Sequence, residues 1–384
     1  MEHKKKPRKL NFHEQLLRFL KKQKRRIPVH IMILFPVLIV AFAIIYSFDI
    51  RTDADAEPEE NAQVTGVAVG DVMVGRHVEE VTNRYDYEYL FRYVQPLFNQ
   101  ADYATGNFEN VASDRELEPM ENKEITLQAN RESVAAMKDA GFKTMAMANN
   151  HMMDYGEQGM IDTLDTFHEQ GIDAVGAGTN STDASNRISY QEINGLTIAT
   201  LSFSDISSEE TKAGEKQAGI LDFDPATFIP LTAEAKKKAD YVIVHAHWGR
   251  EYNSRASDRQ KELGRALADA GADLVIGHHP HVLESIEVYD DTVIFYSLGN
   301  FIFDQGWSRT RETALVQFHL MPTGETNFEI TPMKIREATP APLSNWDKLS
   351  QQSIIRQLTR DLDVDHATVD DKLTFTVKQR EGEE

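Results

Sequence analysis

Gly277-His278-His279-Pro280-His281 places three histidines within four positions, directly after Asp273-Leu274-Val275-Ile276. The β-branched run before the glycine fits a buried strand, and Gly277 breaks it. Imidazole is the commonest side-chain metal ligand and binds metal in its neutral form near physiological pH. Residues i and i+2 of an extended chain share a face, so His279 and His281 can aim two ring nitrogens at one point. His278 is expected to play a supporting or purely structural part. A loop of exposed or helix-capping histidines would look similar in isolation. Ligation is favoured because other polar clusters also stand where strand patterns end.

Val64 to Gly70 reads as a buried strand ending at Asp71, and Glu109 lies in Gly106-Asn-Phe-Glu109-Asn110. Asn149-Asn150-His151 closes the strand Thr144 to Ala148, with Asp154 three residues on. Tyr241-Val-Ile-Val-His245-Ala-His247 runs into Trp248-Gly249-Arg250-Glu251, and Thr292 to Leu298 runs into Gly299-Asn300. In open α/β sheets, function gathers beyond the carboxyl ends of strands. A carboxylate, a bridging carboxylate, an amide oxygen and several imidazoles make an N/O ligand set. It suits Zn²⁺, Mn²⁺ or Fe better than Ca²⁺, which takes oxygens only. One or two such ions would lower the pKa of a bound water and clamp the oxygens of a phosphoryl or carbonyl centre. His151 is placed to protonate a leaving group, with Asp154 holding its ring, although Asp154 would serve equally as a helix N-cap. His247 is preferred to His245, which is read as pointing to the opposite layer. Arg76, Arg250 and Glu251 either contact an anionic substrate or lie solvated at the surface. Asn300 either supports the site or forms a turn.

The elements that must position these residues alternate between strand and helix, so the class is α/β. Helices are expected over residues 85–100, 132–140 (stopped by Gly141), from the Asp154 region to 170 (stopped by Gly171), 233–239, 258–270 and about 346–361. Residues 206–219 read as irregular. Thr313 to Leu320 and Phe328 to Ile335 alternate polar and apolar residues and read as edge strands, with one more strand over about 372–377.

No cysteine is present among the 384 residues, which excludes disulfides, thiolate nucleophiles and Cys-ligated zinc. Residues 1–26 carry eleven of the 41 bases and only Glu2 and Glu14 of the 61 acids, leaving a body of net charge −29. Such a body offers nucleic acid no basic face. Ile31 to Phe48 is an uncharged run of 18 residues behind the basic arm, just long enough to span a bilayer. The positive-inside rule places the N-terminus in the cytoplasm. The expected organisation is a basic cytoplasmic arm (1–26), a transmembrane anchor (27–48), a linker (49–63), a main extracytoplasmic domain (64–340) and a C-terminal extension packed on or trailing it (341–384). A cleaved signal peptide is the rival reading of the N-terminus, but its apolar core would usually be shorter.

The order Asp … Glu … Asn-His … His … His-x-His resembles the calcineurin-like metallophosphoesterase pattern. More closely, Gly70-Asp71-Val-Met-Val-Gly-Arg76, Gly106-Asn-Phe-Glu109-Asn, Asn149-Asn-His-Met-Met-Asp154-Tyr-Gly, His247-Trp-Gly-Arg-Glu251-Tyr, Gly277-His-His-Pro-His281 and Ser297-Leu-Gly-Asn-Phe301 resemble the CapA/PgsA family of poly-γ-glutamate capsule proteins over about residues 64–340. The resemblance implies a four-layer α/β/β/α metallophosphatase-like sandwich behind a single anchor, on the outer face of a bacterial cell membrane. It implies Asp71, Glu109, Asn150, His247, His279 and His281 as metal ligands and His151 as the acid. It also implies partnership with an ATP-dependent poly-γ-glutamate ligase and a small polytopic membrane subunit, which together polymerise and export the poly-γ-glutamate chain. No Gly-x-x-x-x-Gly-Lys-Ser/Thr is present, so the chain is not expected to energise polymerisation itself. Two positions depart from the ordinary phosphoesterase: Met73 stands at the histidine of Asp-x-His, and Glu109 stands where Gly-Asp is usual. The alternative is a free-standing extracytoplasmic metal-dependent hydrolase of a phosphoester or amide.

Overall fold

The structure, a computed structural model, describes residues 10–47, 51–56, 58–121, 123–306, 309–344 and 347–378, with the side chains of 42–47 left out. Part of the expected basic arm (1–9), Phe48 of the expected anchor and the last six residues lie outside the described set. The chain divides into residues 1–50 and 51–384, and each is taken by itself.

Residues Phe12–Ser47 form one helix, α1, whose start is fixed by a reciprocal cap. Asn11 Oδ1 accepts from the Glu14 amide at 2.8 Å, and Glu14 Oε2 accepts from the Asn11 amide at 2.9 Å. Ile31, Met32, Leu34 and Phe35 are exposed along it. Among the described residues, no helix is long and apolar enough to cross a membrane.

The second unit is built on two facing sheets. The first sheet begins with β1 (Val64–Val72), β2 (Tyr103–Phe108), β3 (Thr144–Ala146) and β4 (Asp173–Val175). The next six form the second sheet: β5 (Ser189–Ile193), β6 (Leu196–Ser204), β7 (Tyr241–His247), β8 (Leu274–His278), β9 (Ile286–Tyr289) and β10 (Thr292–Phe295). The chain then returns to the first sheet with β11 (Asn300–Ile302), β12 (Glu312–Leu320), β13 (Glu325–Arg336), β14 (Thr339–Pro342), β15 (His366–Val369) and β16 (Lys372–Lys378). The first sheet runs β15-β16-β13-β12-β1-β2-β3-β4, with β11 beside β1 and β14 beside β13. The second runs β9-β10-β8-β7-β6-β5. β1 to β4 are parallel, as are β6, β7, β8 and β10, so two sets of carboxyl ends are presented.

Three apolar clusters define the layers. Val134, Met137, Met160 and Phe167 come from α2 (Glu132–Ala140) and α3 (Gly156–Gln170) and pack on Val67, Val69 and Met145 of the first sheet. Val64, Tyr103, Tyr241, Ile276 and Phe318 fill the space between the sheets. Phe228, Ala235, Leu263 and Leu267, from α4 (Pro225–Lys238) and α5 (Asp258–Asp269), cover Val242, Val244 and Val275 of the second. The fold is mixed α/β, layered helix, sheet, sheet, helix.

Some expectations need correction. The helix expected over 85–100 is broken into an α-helix His77–Tyr85, a 3₁₀ turn Tyr87–Leu90 and a short turn Gln95–Phe98. Asp86 at φ 70° ends the first piece, and Pro96 admits helix only at the start of the last. Neither expected edge strand lies at an edge: β12 sits between β1 and β13, and β13 between β12 and β16. The polar residues Gln317 and His319 of β12 imitated an exposed face, yet both are buried, with His319 Nδ1 3.1 Å from Thr65 Oγ1. The segment expected as a linker lies against the domain: Ala54 is buried, its amide donates to Tyr93 O at 2.7 Å, and Asn327 Nδ2 donates to Glu59 Oε1 at 3.0 Å.

Candidate metal centre

The parallel strand ends of both sheets converge on one polar cluster. β1 brings Asp71 level with Asn107 of β2 and with Asn300 of β11, and β7 brings His247 level with His278 of β8. Gly277 lets β8 approach its neighbour: a Cβ there would sit 2.0 Å from Tyr296 O. Beyond β8 the backbone turns sharply, with His279 at φ 91° and His281 at φ 56°. Positive φ at these two non-glycine sites, either side of Pro280, costs about 1–3 kcal/mol each and is held by the surrounding structure. The strain places both imidazoles on the cluster.

Ligand-bearing atoms of Asp71, Glu109 and His281 lie within 4.8 Å of one another, and so do those of Glu109, His247 and His279. Glu109 belongs to both groups. Three buried atoms here have no hydrogen-bond partner among the described residues: Glu109 Oε1, His247 Nδ1 and His279 Nδ1. A buried polar atom left unpaired is costly, and a divalent cation would satisfy all three. The donor set fits such an ion. Burial holds the His247 imidazole well below its usual pKa, and burial with the neighbouring His281 takes His279 down to about 3, so both are neutral ligands. Burial, then the nearby Asp71 charge, pushes the Glu109 carboxyl well above the usual range. Burial opposes ionisation of Asp71 as well, but hydrogen bonds from His278 and His281 outweigh it and hold its carboxyl well below the ordinary value.

The orienting groups are equally specific. His247 Nε2 is 2.7 Å from Asn150 Oδ1, leaving Nδ1 free for the cluster. His281 Nδ1 is 2.9 Å from Asn300 Oδ1, leaving Nε2 3.6 Å from Glu109 Oε1. Asn300 thus holds a ligand ring. His151 Nδ1 lies 2.7 Å from Asp154 Oδ2, and that oxygen also accepts the Leu127 amide at 2.7 Å. Asp154 makes no cap bond to α3, whose N-cap is Tyr155. Arg76 is engaged by a two-point ion pair with Asp304, at 2.9 and 2.7 Å. Arg250 is exposed, and its side chain has no hydrogen bond or ion pair among the described residues. Glu251 is exposed yet lies within the same 4.8 Å of His279 and His281.

Several residues of the site carried no signal in the sequence reading. Asn107 Nδ2 donates to Asp71 Oδ1 at 2.9 Å and to Glu109 Oε2 at 3.2 Å, and Asn149 Nδ2 donates to Asn107 Oδ1 at 3.0 Å. Both flank motif residues, and position alone could have drawn attention to them. Lys123 reaches in from a loop to pair with Asp154 Oδ1 at 2.7 Å and to bond Asn150 O. Behind Asp71, a buried chain runs from His278 Nδ1 (3.1 Å) through His278 Nε2 to His245 Nδ1 (2.9 Å) and from His245 Nε2 to Thr105 Oγ1 (2.8 Å). His278 therefore supports a ligand carboxylate, and His245 lies between the two sheets.

The chain matches the family model described as "Bacterial capsule synthesis protein PGA_cap" over residues 65–305. It is 49% identical over 371 residues to "PGA biosynthesis protein CapA" of Bacillus subtilis (strain 168), covering 96% of this chain and 97% of that one. It is 44% identical to "Capsule biosynthesis protein CapA" of Bacillus anthracis, covering 92% and 87%. Among solved structures, the NAD nucleotidase of Haemophilus influenzae is similar at 11% identity and a TM-score of 0.43, covering 79% of this chain. The chain spans 64% of that nucleotidase's length. The chain belongs to the PGA_cap family of bacterial capsule synthesis proteins.

Proposed function

We propose that this chain is the membrane-anchored, extracytoplasmic component of a poly-γ-glutamate synthesis and export machinery, working through a metallophosphatase-like metal centre. The observation that carries the reading is the convergence of unpartnered buried atoms of Glu109, His247 and His279 at the strand ends. Family membership supplies the polymer context. The anchor is residues 27–48, supported by the uncharged run inside α1 and the eleven bases before it. Its partners are the poly-γ-glutamate ligase and a small polytopic membrane subunit.

Asp71, Glu109 and His281 would hold one ion position, and Glu109, His247 and His279 the other, with Asn150 placed on the far nitrogen of the His247 ring. Mn²⁺, Zn²⁺ or Fe suits the set. When bound, the ion supplies Lewis-acid chemistry. The chain's own residues do the rest. Asn150 and Asn300 fix the tautomers of His247 and His281. Asp154 orients His151 so that its Nε2 can hand a proton to a departing group, and Lys123 keeps Asp154 in place. That His151–Asp154 pair also favours a second reading, a free-standing metal-dependent hydrolase of a phosphoester or amide, since a scaffold has no use for an acid.

Metal analysis of the purified full chain tests the centre. Wild type should retain a stoichiometric divalent ion, with His279→Ala and Asp71→Ala losing it and its stabilising effect on thermal unfolding. Absence of metal, with all three melting alike, would remove the centre from the account.

A further inference from the structure

Resting on that metal-centre reading, the two ion positions are unequal in their ligands. Asp71, Glu109 and His281 supply three protein groups. Position 73, two residues beyond Asp71, offers no fourth. Met73 is fully buried in the apolar cluster beneath the first sheet, and its Sδ accepts from the Gly75 amide at 3.2 Å. A thioether is in any case a soft ligand, poorly matched to a carboxylate-rich position.

The turn after β7 comes back to the same place. Gly249 takes φ 86°, a conformation that favours glycine, and a Cβ there would meet the end of the Gln260 side chain at 2.8 Å. Tyr252, at φ 62°, then donates its amide to Pro280 O at 2.8 Å, between the two histidines. The turn is tied from the other side as well. Gln305 Nε2 donates to the Tyr252 hydroxyl at 3.2 Å, and Asn300 Nδ2 donates to Gln305 Oε1 at 3.0 Å. Asn300 is the residue that orients His281. The turn bearing Glu251 is thus tied through Tyr252 to Pro280 and, by way of Gln305 and Asn300, to His281, and a Glu251 carboxylate oxygen lies within 4.8 Å of ring nitrogens of His279 and His281. No cation pairs with Glu251 among the described residues, although Asp71 and Glu109 bring two more carboxyls to the same centre.

We propose that Glu251 is the fourth protein ligand of the ion position formed by Asp71, Glu109 and His281, replacing the histidine that position 73 lacks. Three carboxylates and one imidazole make this a hard, oxygen-rich position suited to Mn²⁺ or Mg²⁺. Its neighbour, with two imidazoles and the shared Glu109 carboxylate, would suit Zn²⁺ or Fe. Glu251 is also the exposed member of the set, so this ion would face the mouth of the site.

The test is Mn²⁺ titration of the metal-free full chain by calorimetry, with the bound ion read by electron paramagnetic resonance. Wild type, E251Q and H279A are compared. E251Q should lose one equivalent of Mn²⁺ or bind it at least about tenfold more weakly. Because Glu251 is exposed, the metal-free thermal midpoint should stay at the wild-type value. Wild-type stoichiometry and affinity in E251Q, alongside metal loss in H279A, would overturn the role of Glu251 while leaving the centre standing. Failure of wild type to bind any ion would overturn both.

Discussion

Glu284 lies three residues beyond His281, wholly inside the domain. One carboxyl oxygen accepts from Gln260 Nε2 at 2.7 Å and the other has no hydrogen-bond partner among the described residues. Gln260 is also the capping-box residue that starts α5, so this carboxyl links the helix to the metal loop. Burial pushes its pKa from 4.5 up to about 8, against the smaller opposing effects of Gln260 and Arg360. A folded-state pKa above the unfolded value gives stability that is full below about pH 4.5 and lost as pH rises through about 8. At about 1.4 kcal/mol per unit, the loss across that window is a few kcal/mol. Glu284→Gln keeps the acceptor for Gln260 and removes the ionisation. Urea unfolding at pH 5 and pH 8 should therefore show the variant gaining on wild type at the higher pH; parallel curves would refute it. At this scale the sequence was informative where spacing mattered. His279-x-His281 and Asn150 next to His151 stood out because their neighbours share a face or a strand end. The His278–His245–Thr105 chain did not, because it joins residues from three strands and two sheets, and Lys123 arrives from a loop whose path no local pattern encodes.

Among the elements, the last strand is the most consequential one to have looked peripheral. β16 pairs with β13, and its Leu373, Phe375 and Val377 join the cluster between the sheets, with Phe375 stacked on Phe328 at 5.0 Å between ring centroids. The C-terminal segment is part of the core, not an appendage to it. Phe375→Ala should cost about 3–5 kcal/mol of unfolding free energy by denaturant titration, as for other buried aromatic truncations. A cost below about 0.5 kcal/mol would show that the segment merely trails. The central parallel strands were legible because their apolar runs are continuous, as doubly covered strands require. β12 was misplaced at an edge because the alternation of Gln317 and His319 is the same whether the polar face meets water or a buried partner. Helix stops at Gly141 and Gly171 were legible from glycine, and both take positive φ there.

For the whole molecule, the α/β alternation gave the class, while the pairing of strands across the return to the first sheet rests on long-range contacts that no local window contains. The body carries a large negative charge that would repel a polyglutamate chain, and the convergent centre is where cations would offset it. The central claim is that poly-γ-glutamate production depends on that centre and not on the folded domain alone. The most direct measurement replaces the host's own gene with the full-length chain, as wild type, H279A or D71A. Each is checked by immunoblot for equal abundance, and the surface polymer is quantified as glutamate released by acid hydrolysis. The account predicts that wild type restores the polymer and that both ligand variants fail to do so at equal protein level. Polymer at wild-type yield and chain length from H279A and D71A would contradict it.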